Sequence, residues 1–120
     1  MTGALTGKRV LIVEDEYFIA MELKRAFKDE GAEIVGPVGN LKAGLELVSK
    51  EIDVAVLDVN LEQSLSYPIA NLLRSNGVPY LFLTGYDGWS LPTEFRDDAR
   101  LAKPFSVKSV VAMVEKLTSQ

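Results

Sequence analysis

The chain has 120 residues, of which 48% are hydrophobic and 25% are charged, and this composition predicts one globular domain with a single core. Its net charge of −4 excludes the basic patch that non-specific nucleic-acid binding requires. The chain contains no cysteine and no histidine, which excludes disulfides, thiolate metal sites and histidine catalysis by its own residues. Any histidine chemistry must therefore come from a partner.

The N-terminal stretch MTGALTG lacks the charged and apolar regions of a signal peptide. No apolar run approaches the roughly 18 residues of a membrane span. We therefore expect a cytoplasmic protein with no membrane insertion. Residues 1–7 are predicted to be a flexible lead-in, and residues 8–120 to form the domain.

Short β-branched runs alternate with amphipathic stretches along the rest of the chain. Strands are predicted at 9–13, 32–38, 53–58, 79–84 and 99–102. Helices are predicted over the apolar stripes at 19–27, 41–48, 69–73 and 107–117. Gly88 and Pro92 interrupt the segment 87–98, so the fourth of five helices is expected to be short, late or distorted.

Strands that alternate with helices predict a parallel sheet covered on both faces, because a right-handed helical crossover returns the chain to a parallel neighbour. The first, third and fourth strands are apolar on both faces, as central strands are. The predicted fold class is α/β: a single flavodoxin-like, doubly wound, five-stranded parallel sheet in the order 2-1-3-4-5. Its ligands should lie outside the carboxyl ends of the strands, near the switch point between strands 1 and 3.

Polar side chains follow the strands at this edge: Glu14, Asp15, Asp58, Thr84 and Lys103. Acids at a helix start often only complement the helix dipole, but carboxylates crowded from several strands indicate a hard cation such as Mg²⁺. The ammonium and the hydroxyl are suited to bind an incoming anion, and a phosphoryl group fits. Asp58 is the best candidate nucleophile because it ends the most buried strand.

With these residues the chain resembles the receiver domain of bacterial two-component response regulators, from Lys8 to about Leu117. The matching residues are Glu14-Asp15, Asp58 in VAVLD, Thr84 in FLTG and Lys103 in KPF. The resemblance implies that Asp58 is the phosphoacceptor, assisted by Thr84 and Lys103. It implies Mg²⁺ bound by Asp15, Asp58 and the backbone carbonyl of Asn60, with Glu14 acting through a water, and a cis Lys103–Pro104 bond.

The sequence departs from the common receiver pattern after the third strand. Glu62 and Ser66 stand where proline and glycine are usual, so the loop is expected to differ in shape. Arg100 stands where most receivers carry an aromatic switch residue, so that switch cannot operate.

The motif FLTGY resembles an alphaproteobacterial subgroup named for its Phe-Ala-Thr-Gly-Tyr motif, with Leu83 in place of alanine. That subgroup lacks the aromatic switch and often works with sensor kinases of the HWE type. The switch candidates are Thr84, Tyr86 and Arg100, although Arg100 is also suited to a surface ion pair with Asp97 or Asp98.

The predicted function is a single-domain response regulator that takes a phosphoryl group from a phosphohistidine of a sensor histidine kinase. It catalyses its own phosphorylation and dephosphorylation and is not an enzyme with a separate substrate. Output is expected by contact with a downstream protein or phosphotransferase, or as a phosphate sink or relay. A homodimer through helix 4, strand 5 and helix 5 is a further expectation.

Other functions stay open on the residues alone. The triplet DVN at 58–60 weakly resembles an aspartate-nucleophile phosphatase of the haloacid dehalogenase type, although Asn60 replaces the second acid. The chain is equally compatible with a receiver domain excised from a larger protein. A flavin or nucleotide carrier would need phosphate loops that are not acidic, and a degenerate scaffold would not need the intact polar residues.

Overall fold

The structure is a computed structural model and describes residues 3–85 and 91–119. Its strands are β1 Arg9–Val13, β2 Glu33–Val38, β3 Val54–Asp58, β4 Asn60–Leu61, β5 Ser64–Leu65, β6 Tyr80–Thr84 and β7 Arg100–Ala102. Its helices are α1 Tyr17–Asp29, α2 Leu41–Leu47, α3 Tyr67–Ser75 and α4 Val107–Thr118, with a 3-10 helix at Thr93–Phe95. None of these helices has the length and apolarity needed to cross a lipid bilayer.

The five long strands form one parallel sheet in the order β2-β1-β3-β6-β7. These are the five strands predicted from the sequence, so the predicted order 2-1-3-4-5 is confirmed. Their carboxyl ends lie at one edge of the sheet, and Asp58, the last residue of β3, pairs with Leu83 of β6. This register places the polar residues that follow each strand side by side.

Helices cover both faces of the sheet, as the alternation predicted. On one face, Leu23 and Phe27 of α1 pack with Val110 and Val114 of α4 against the sheet. On the other face, α2 and α3 pack against the opposite side chains of the same strands. Because β3 and β6 are buried along their whole length, each contributes to both cores.

The helix ends follow the side-chain signals in the sequence. The carboxylate of Glu16 accepts a hydrogen bond from the backbone N–H of Phe18 at 3.3 Å and begins α1. The amide oxygen of Asn40 accepts a hydrogen bond from the N–H of Ala43 at 2.8 Å and caps the start of α2. Such caps satisfy N–H groups that have no partner within the helix.

The segment expected to hold a distorted fourth helix contains only the short 3-10 helix within its described part. Phe95 at its end is fully buried and anchors the turn to the core. Residues 86–90, which include the predicted switch candidate Tyr86, lie outside the described residues.

Part of the predicted flexible lead-in belongs to the folded structure. Leu5 is fully buried against the α1 and α4 side of the sheet. Its N–H donates to the carbonyl of Glu30 at 3.2 Å, and the N–H of Gly7 donates to the carbonyl of Gly31 at 3.3 Å. The packed structure therefore extends before Lys8, because Leu5 supplies apolar area that the core buries.

The loop after β3 forms a small antiparallel hairpin of β4 and β5. Leu61 of β4 is buried in the core, and the N–H of Ser66 donates to the carbonyl of Val59 at 3.0 Å. The Ser66 hydroxyl is buried without a hydrogen-bond partner among the described residues. The hairpin thus occupies the place where the sequence departs from the common pattern at Glu62 and Ser66.

Candidate functional site

Three carboxylates meet at the carboxyl edge of the sheet. Glu14 and Asp15 follow β1, and Asp58 ends β3. Each offers a carboxylate oxygen, and these oxygens lie within 4.8 Å of one another. Glu14 and Asp58 are buried whereas Asp15 is exposed, so the cluster opens to solvent on the Asp15 side.

Lys103 reaches this cluster from the end of β7. Its Nζ donates to Oδ2 of Asp58 at 2.9 Å and lies 3.5 Å from Oε1 of Glu14. Its backbone N–H donates to the carbonyl of Thr84 at 2.8 Å, and the Lys103–Pro104 bond is cis, as expected. Burial alone would lower the pKa of Lys103, but the bonds to Asp58 and the charge of Glu14 raise it, so the ammonium stays protonated.

Glu14 is the most enclosed of the three acids. Its side chain has no exposed area, and its Oε2 accepts a hydrogen bond from the backbone N–H of Glu16 at 3.0 Å. Burial, together with the neighbouring Asp58 carboxyl, raises the pKa of Glu14 to about 8. Without a cation, the Glu14 carboxyl therefore keeps at neutral pH a proton that an exposed glutamate would lose.

Asp58 is the predicted nucleophile, and Thr84 carries a hydroxyl predicted to bind the incoming anion. One oxygen of Asp58 accepts from the backbone N–H of Asn60 at 3.2 Å while the other is held by Lys103. The Thr84 hydroxyl is buried and has no hydrogen-bond partner among the described residues. An unpaired buried hydroxyl costs about 1–3 kcal/mol, so a ligand that bonds it would recover that free energy.

The donor set fits a hard divalent cation. Mg²⁺ prefers carboxylate and carbonyl oxygens and keeps several waters, and this cluster offers carboxylates from Glu14, Asp15 and Asp58 with an open side. Oε1 of Glu14 is buried without a hydrogen bond in the described structure and has the Lys103 ammonium at 3.5 Å, so it can still accept from a water that a cation holds.

The structure does not bring Arg100 to the carboxylate cluster. Arg100 lies in β7, and its Nη1 donates to the backbone carbonyl of Arg96 at 2.6 Å. The expected ion pair of Arg100 with Asp97 or Asp98 is not formed among the described residues, and Asp98 instead binds the guanidinium of Arg74 at 2.7 Å. Arg74 reaches Asp98 from α3 across the end of β6, a contact that spacing along the chain does not indicate.

Two exposed aromatic side chains beside the site escaped the sequence analysis. Tyr17 is 67% exposed and Phe18 is 73% exposed, at the start of α1. Their rings meet edge to face with centroids 5.6 Å apart. The sequence does show two adjacent aromatic residues directly after three acids. Nothing in the capping of a helix requires aromatic residues at this position, so the pair could have been singled out.

Comparison with known proteins bears on this arrangement. The family of the response regulator receiver domain matches residues 10–115 of the chain. Among curated relatives, the transcriptional regulatory protein PdtaR of Mycobacterium tuberculosis is 32% identical, and the match covers 100% of this chain and 64% of that protein. The sensory transduction protein LytT of Bacillus anthracis is 31% identical over 93% of this chain and 48% of its own length. The chain thus spans about half to two thirds of these relatives.

Solved structures of similar fold include SdrG of Sphingomonas melonis, with 36% identity, a TM-score of 0.80 and coverage of 99% of this chain and 100% of that chain. PhyR of Brucella abortus has 26% identity and a TM-score of 0.81, covering 97% of this chain and 50% of that one. TrrA of Thermotoga maritima, solved in complex with Mg²⁺-BeF, has 26% identity and a TM-score of 0.78, with coverage of 92% and 98%. On the sheet order, the acidic cluster and these matches, the chain belongs to the response regulator receiver domain family of two-component signalling.

Proposed function

We propose that the chain accepts a phosphoryl group on Asp58 from a phosphohistidine of a sensor histidine kinase. One observation carries the proposal: the Asp58 carboxylate lies 2.9 Å from the Lys103 ammonium and within a cluster that also holds Glu14 and Asp15. One ammonium offsets only part of the negative charge of three carboxyl groups, so this site suits a divalent cation. With that cation bound, the site can receive the anionic phosphoryl group.

The transfer is a displacement at phosphorus. An oxygen of Asp58 attacks in line, the new O–P bond forms as the P–N bond to the donor imidazole breaks, and the imidazole keeps the electron pair and takes a proton. Lys103 and the Thr84 hydroxyl, which no described residue bonds, bind oxygens of the transferred group. Asp15, Asp58 and the carbonyl of Asn60 would hold Mg²⁺, with Glu14 through a water. When bound, the cation supplies positive charge that offsets the phosphoryl oxygens.

The same residues account for loss of the phosphoryl group. Water attacks phosphorus on the side opposite the Asp58 oxygen, the O–P bond breaks, and the carboxylate is restored. The chain is therefore a phosphoacceptor whose own residues promote formation and hydrolysis of the acyl phosphate.

The partner and the output follow from the motif and from the surfaces beside the site. The FLTGY motif and the absence of an aromatic residue at Arg100 support the alphaproteobacterial subgroup and a kinase of the HWE type. The match over 100% of the SdrG chain in its solved structure supports action as a single-domain regulator. Output would pass through a downstream protein or phosphotransferase, as a phosphate sink or relay, or through a homodimer formed by the 3-10 helix, β7 and α4.

The start of α1 is the surface on which we place the donor kinase, because Tyr17 and Phe18 are exposed directly beside Asp15. Replacing Phe18 by alanine removes contact area without touching the acidic cluster. We expect Phe18→Ala to slow transfer from a phosphorylated HWE kinase at least about fivefold, since an aromatic anchor commonly contributes more than about 1 kcal/mol to an interface. Quench-flow transfer assays measure this rate.

Acetyl phosphate serves as the control donor for that variant, because it needs no docking surface. Phe18→Ala should accept from acetyl phosphate at the wild-type rate. Leu72→Ala, a change of another exposed apolar residue on α3, should leave both rates unchanged. Equal slowing with both donors would show that Phe18 acts on the site and not on kinase docking.

Magnesium affinity should depend on pH through Glu14. The pKa of Glu14 lies at about 8 in the metal-free fold, so the cation must displace a proton at neutral pH. Affinity is expected to rise about tenfold per pH unit below this pKa and to level off above it. Isothermal titration in buffers of different ionisation enthalpy counts the proton released.

The stability of the metal-free fold should also depend on pH through Glu14. A carboxyl whose pKa is raised on folding binds more protons in the native state than in the unfolded chain, so stability falls as the pH rises from about 4.5 to about 8. Glu14→Gln should remove both the slope and the proton release. A metal affinity that stays constant with pH in wild type would contradict this account of Glu14.

The experiment that tests the proposed function is intact mass measurement after incubation with acetyl phosphate, with Mg²⁺ or with EDTA. The proposal predicts a gain of one phosphoryl group that requires Mg²⁺. No gain with Mg²⁺ from either acetyl phosphate or a phosphorylated kinase would contradict it.

A further inference from the structure

The segment Leu91–Asp98 contains the 3-10 helix and precedes β7, and a cluster that includes none of the three site carboxylates fastens it to the fold. We define the Arg74 cluster as Arg74, Tyr80, Phe95 and Asp98. Nη2 of Arg74 lies 2.7 Å from Oδ2 of Asp98, 2.9 Å from the hydroxyl of Tyr80 and 3.0 Å from the carbonyl of Glu94. One guanidinium thus joins α3, β6 and two points of the 91–98 segment.

Tyr80 completes the polar part of the cluster. Its hydroxyl donates to Oδ2 of Asp98 at 2.6 Å, and burial raises the pKa of Tyr80 to about 12, so it remains a donor at neutral pH. The carboxylate of Asp98 therefore receives two donors from different elements. Hydrogen bonds to a charged group are among the stronger ones in proteins.

Phe95 forms the apolar part of the cluster. The guanidinium carbon of Arg74 lies 5.0 Å from the centre of the Phe95 ring, and Tyr67 stacks on that ring with centroids 5.0 Å apart. Phe82 of β6 meets Phe95 edge to face at 5.5 Å. The 91–98 segment is therefore held by one buried ring between α3 and β6.

The cluster shares a strand face with the candidate site. Side chains alternate along a strand, so Tyr80, Phe82 and Thr84 project from the same face of β6. Tyr80 and Phe82 pack in the core with Phe95, whereas Leu81 and Leu83 pack on the opposite side of the sheet. One row of side chains thus runs from the Thr84 hydroxyl, which has no partner among the described residues, through Phe82 to Arg74 and Asp98.

We propose that Arg74 is a positioning residue that holds the 91–98 segment in the unphosphorylated arrangement and thereby sets how readily phosphorylation moves that segment. The inference rests on the proposed function, because it takes Thr84 as a phosphoryl ligand. Arg74 would couple the phosphorylation site to the 91–98 segment from the α3 side of β6. On the other side of β6, β7 carries Arg100 where an aromatic switch residue is usual.

The test is Arg74→Met, which removes the guanidinium and keeps an apolar side chain beside Phe95. Arg96→Met is the matched control, since Arg96 lies in the same segment, is exposed, and loses the same charge. Backbone amide NMR shifts of residues 91–98 are recorded for each protein before and after labelling with acetyl phosphate and Mg²⁺. Labelling is followed in parallel by intact mass.

The expected result is that unphosphorylated Arg74→Met shows shifts displaced along the line from unphosphorylated to phosphorylated wild type, whereas Arg96→Met stays at the wild-type position. Exchange of the Phe95 and Asp98 amides should also be at least about tenfold faster in Arg74→Met. Arg74→Lys should fall between wild type and Arg74→Met, because it keeps the charge and loses the planar fork.

Two outcomes overturn the inference. The first is displacement of the Arg74→Met shifts in a direction unrelated to phosphorylation, which would leave Arg74 a structural contact only. The second is a wild type that gains the phosphoryl group by mass while its 91–98 amides do not move. In both cases the proposed function survives, whereas a wild type that gains no phosphoryl group contradicts both proposals.

Discussion

Asp58→Asn is expected to abolish phosphorylation of the chain. The amide oxygen that replaces the carboxylate is a poor nucleophile and carries no charge to attract a cation. The neighbouring Lys103 keeps a hydrogen-bond acceptor at this position, so the fold should persist. Intact mass after incubation with acetyl phosphate and Mg²⁺ measures the loss, and circular dichroism checks the fold.

Asp29→Asn is the matched control, because Asp29 is an exposed acid at the end of α1 and lies outside the acidic cluster. It should label like wild type. Stoichiometric labelling of Asp58→Asn would place the acceptor on another residue and would remove the basis of the proposed function.

Lys103→Ala is expected to slow phosphorylation about a hundredfold or more. Removing one preorganised donor from a charged transition state commonly costs about 10²–10³ in rate. Lys103 is also the cation that the described structure places beside Asp58, so its loss leaves a buried carboxylate without that countercharge. The variant should therefore be less stable than wild type without Mg²⁺ and should regain most of that stability when Mg²⁺ is added.

The control for Lys103→Ala is Lys108→Ala, which removes an exposed lysine from α4. Labelling rates come from a time course of intact mass, and stability comes from urea unfolding with and without Mg²⁺. A labelling rate for Lys103→Ala equal to that of wild type would exclude the ammonium from the transfer.

Most of the fold could be predicted because the pattern is strong. Strands such as VAVLD at 54–58 are apolar on both faces, and helical stripes separate them, so a parallel sheet with two covered faces follows. The site could be predicted for the same reason. The carboxyl ends of parallel strands meet at one edge, which brings Asp15, Asp58 and Lys103 together although they are far apart in sequence.

The contacts that could not be predicted depend on which distant groups meet in three dimensions. Arg100 was expected to pair with Asp97 or Asp98, its near neighbours in the chain, but the packing of α3 brings Arg74 to Asp98. Leu5 was predicted to lie in a flexible lead-in, but it is buried in the core beside Leu23 and Phe27 of α1. Local spacing cannot reveal either contact, because each depends on the relative placement of elements that only the packed core fixes.

The hairpin of β4 and β5 is an intermediate case. Glu62 and Ser66 indicated a departure from the usual loop, but two strands of two residues each are too short for the alternation of polar and apolar residues that identifies a strand. Tandem exposed aromatics at Tyr17 and Phe18 were likewise visible in the sequence, but their exposure was not, because α1 has apolar residues on more than one side.

The most direct test of the central claim is to locate the phosphoryl group. Wild type is incubated with acetyl phosphate, with Mg²⁺ or with EDTA, then reduced with borohydride, which converts a phosphorylated aspartate to homoserine, and mapped by peptide mass spectrometry. Homoserine is expected at Asp58, and only in the sample with Mg²⁺. Homoserine at another acid, or equal conversion in EDTA, would contradict it.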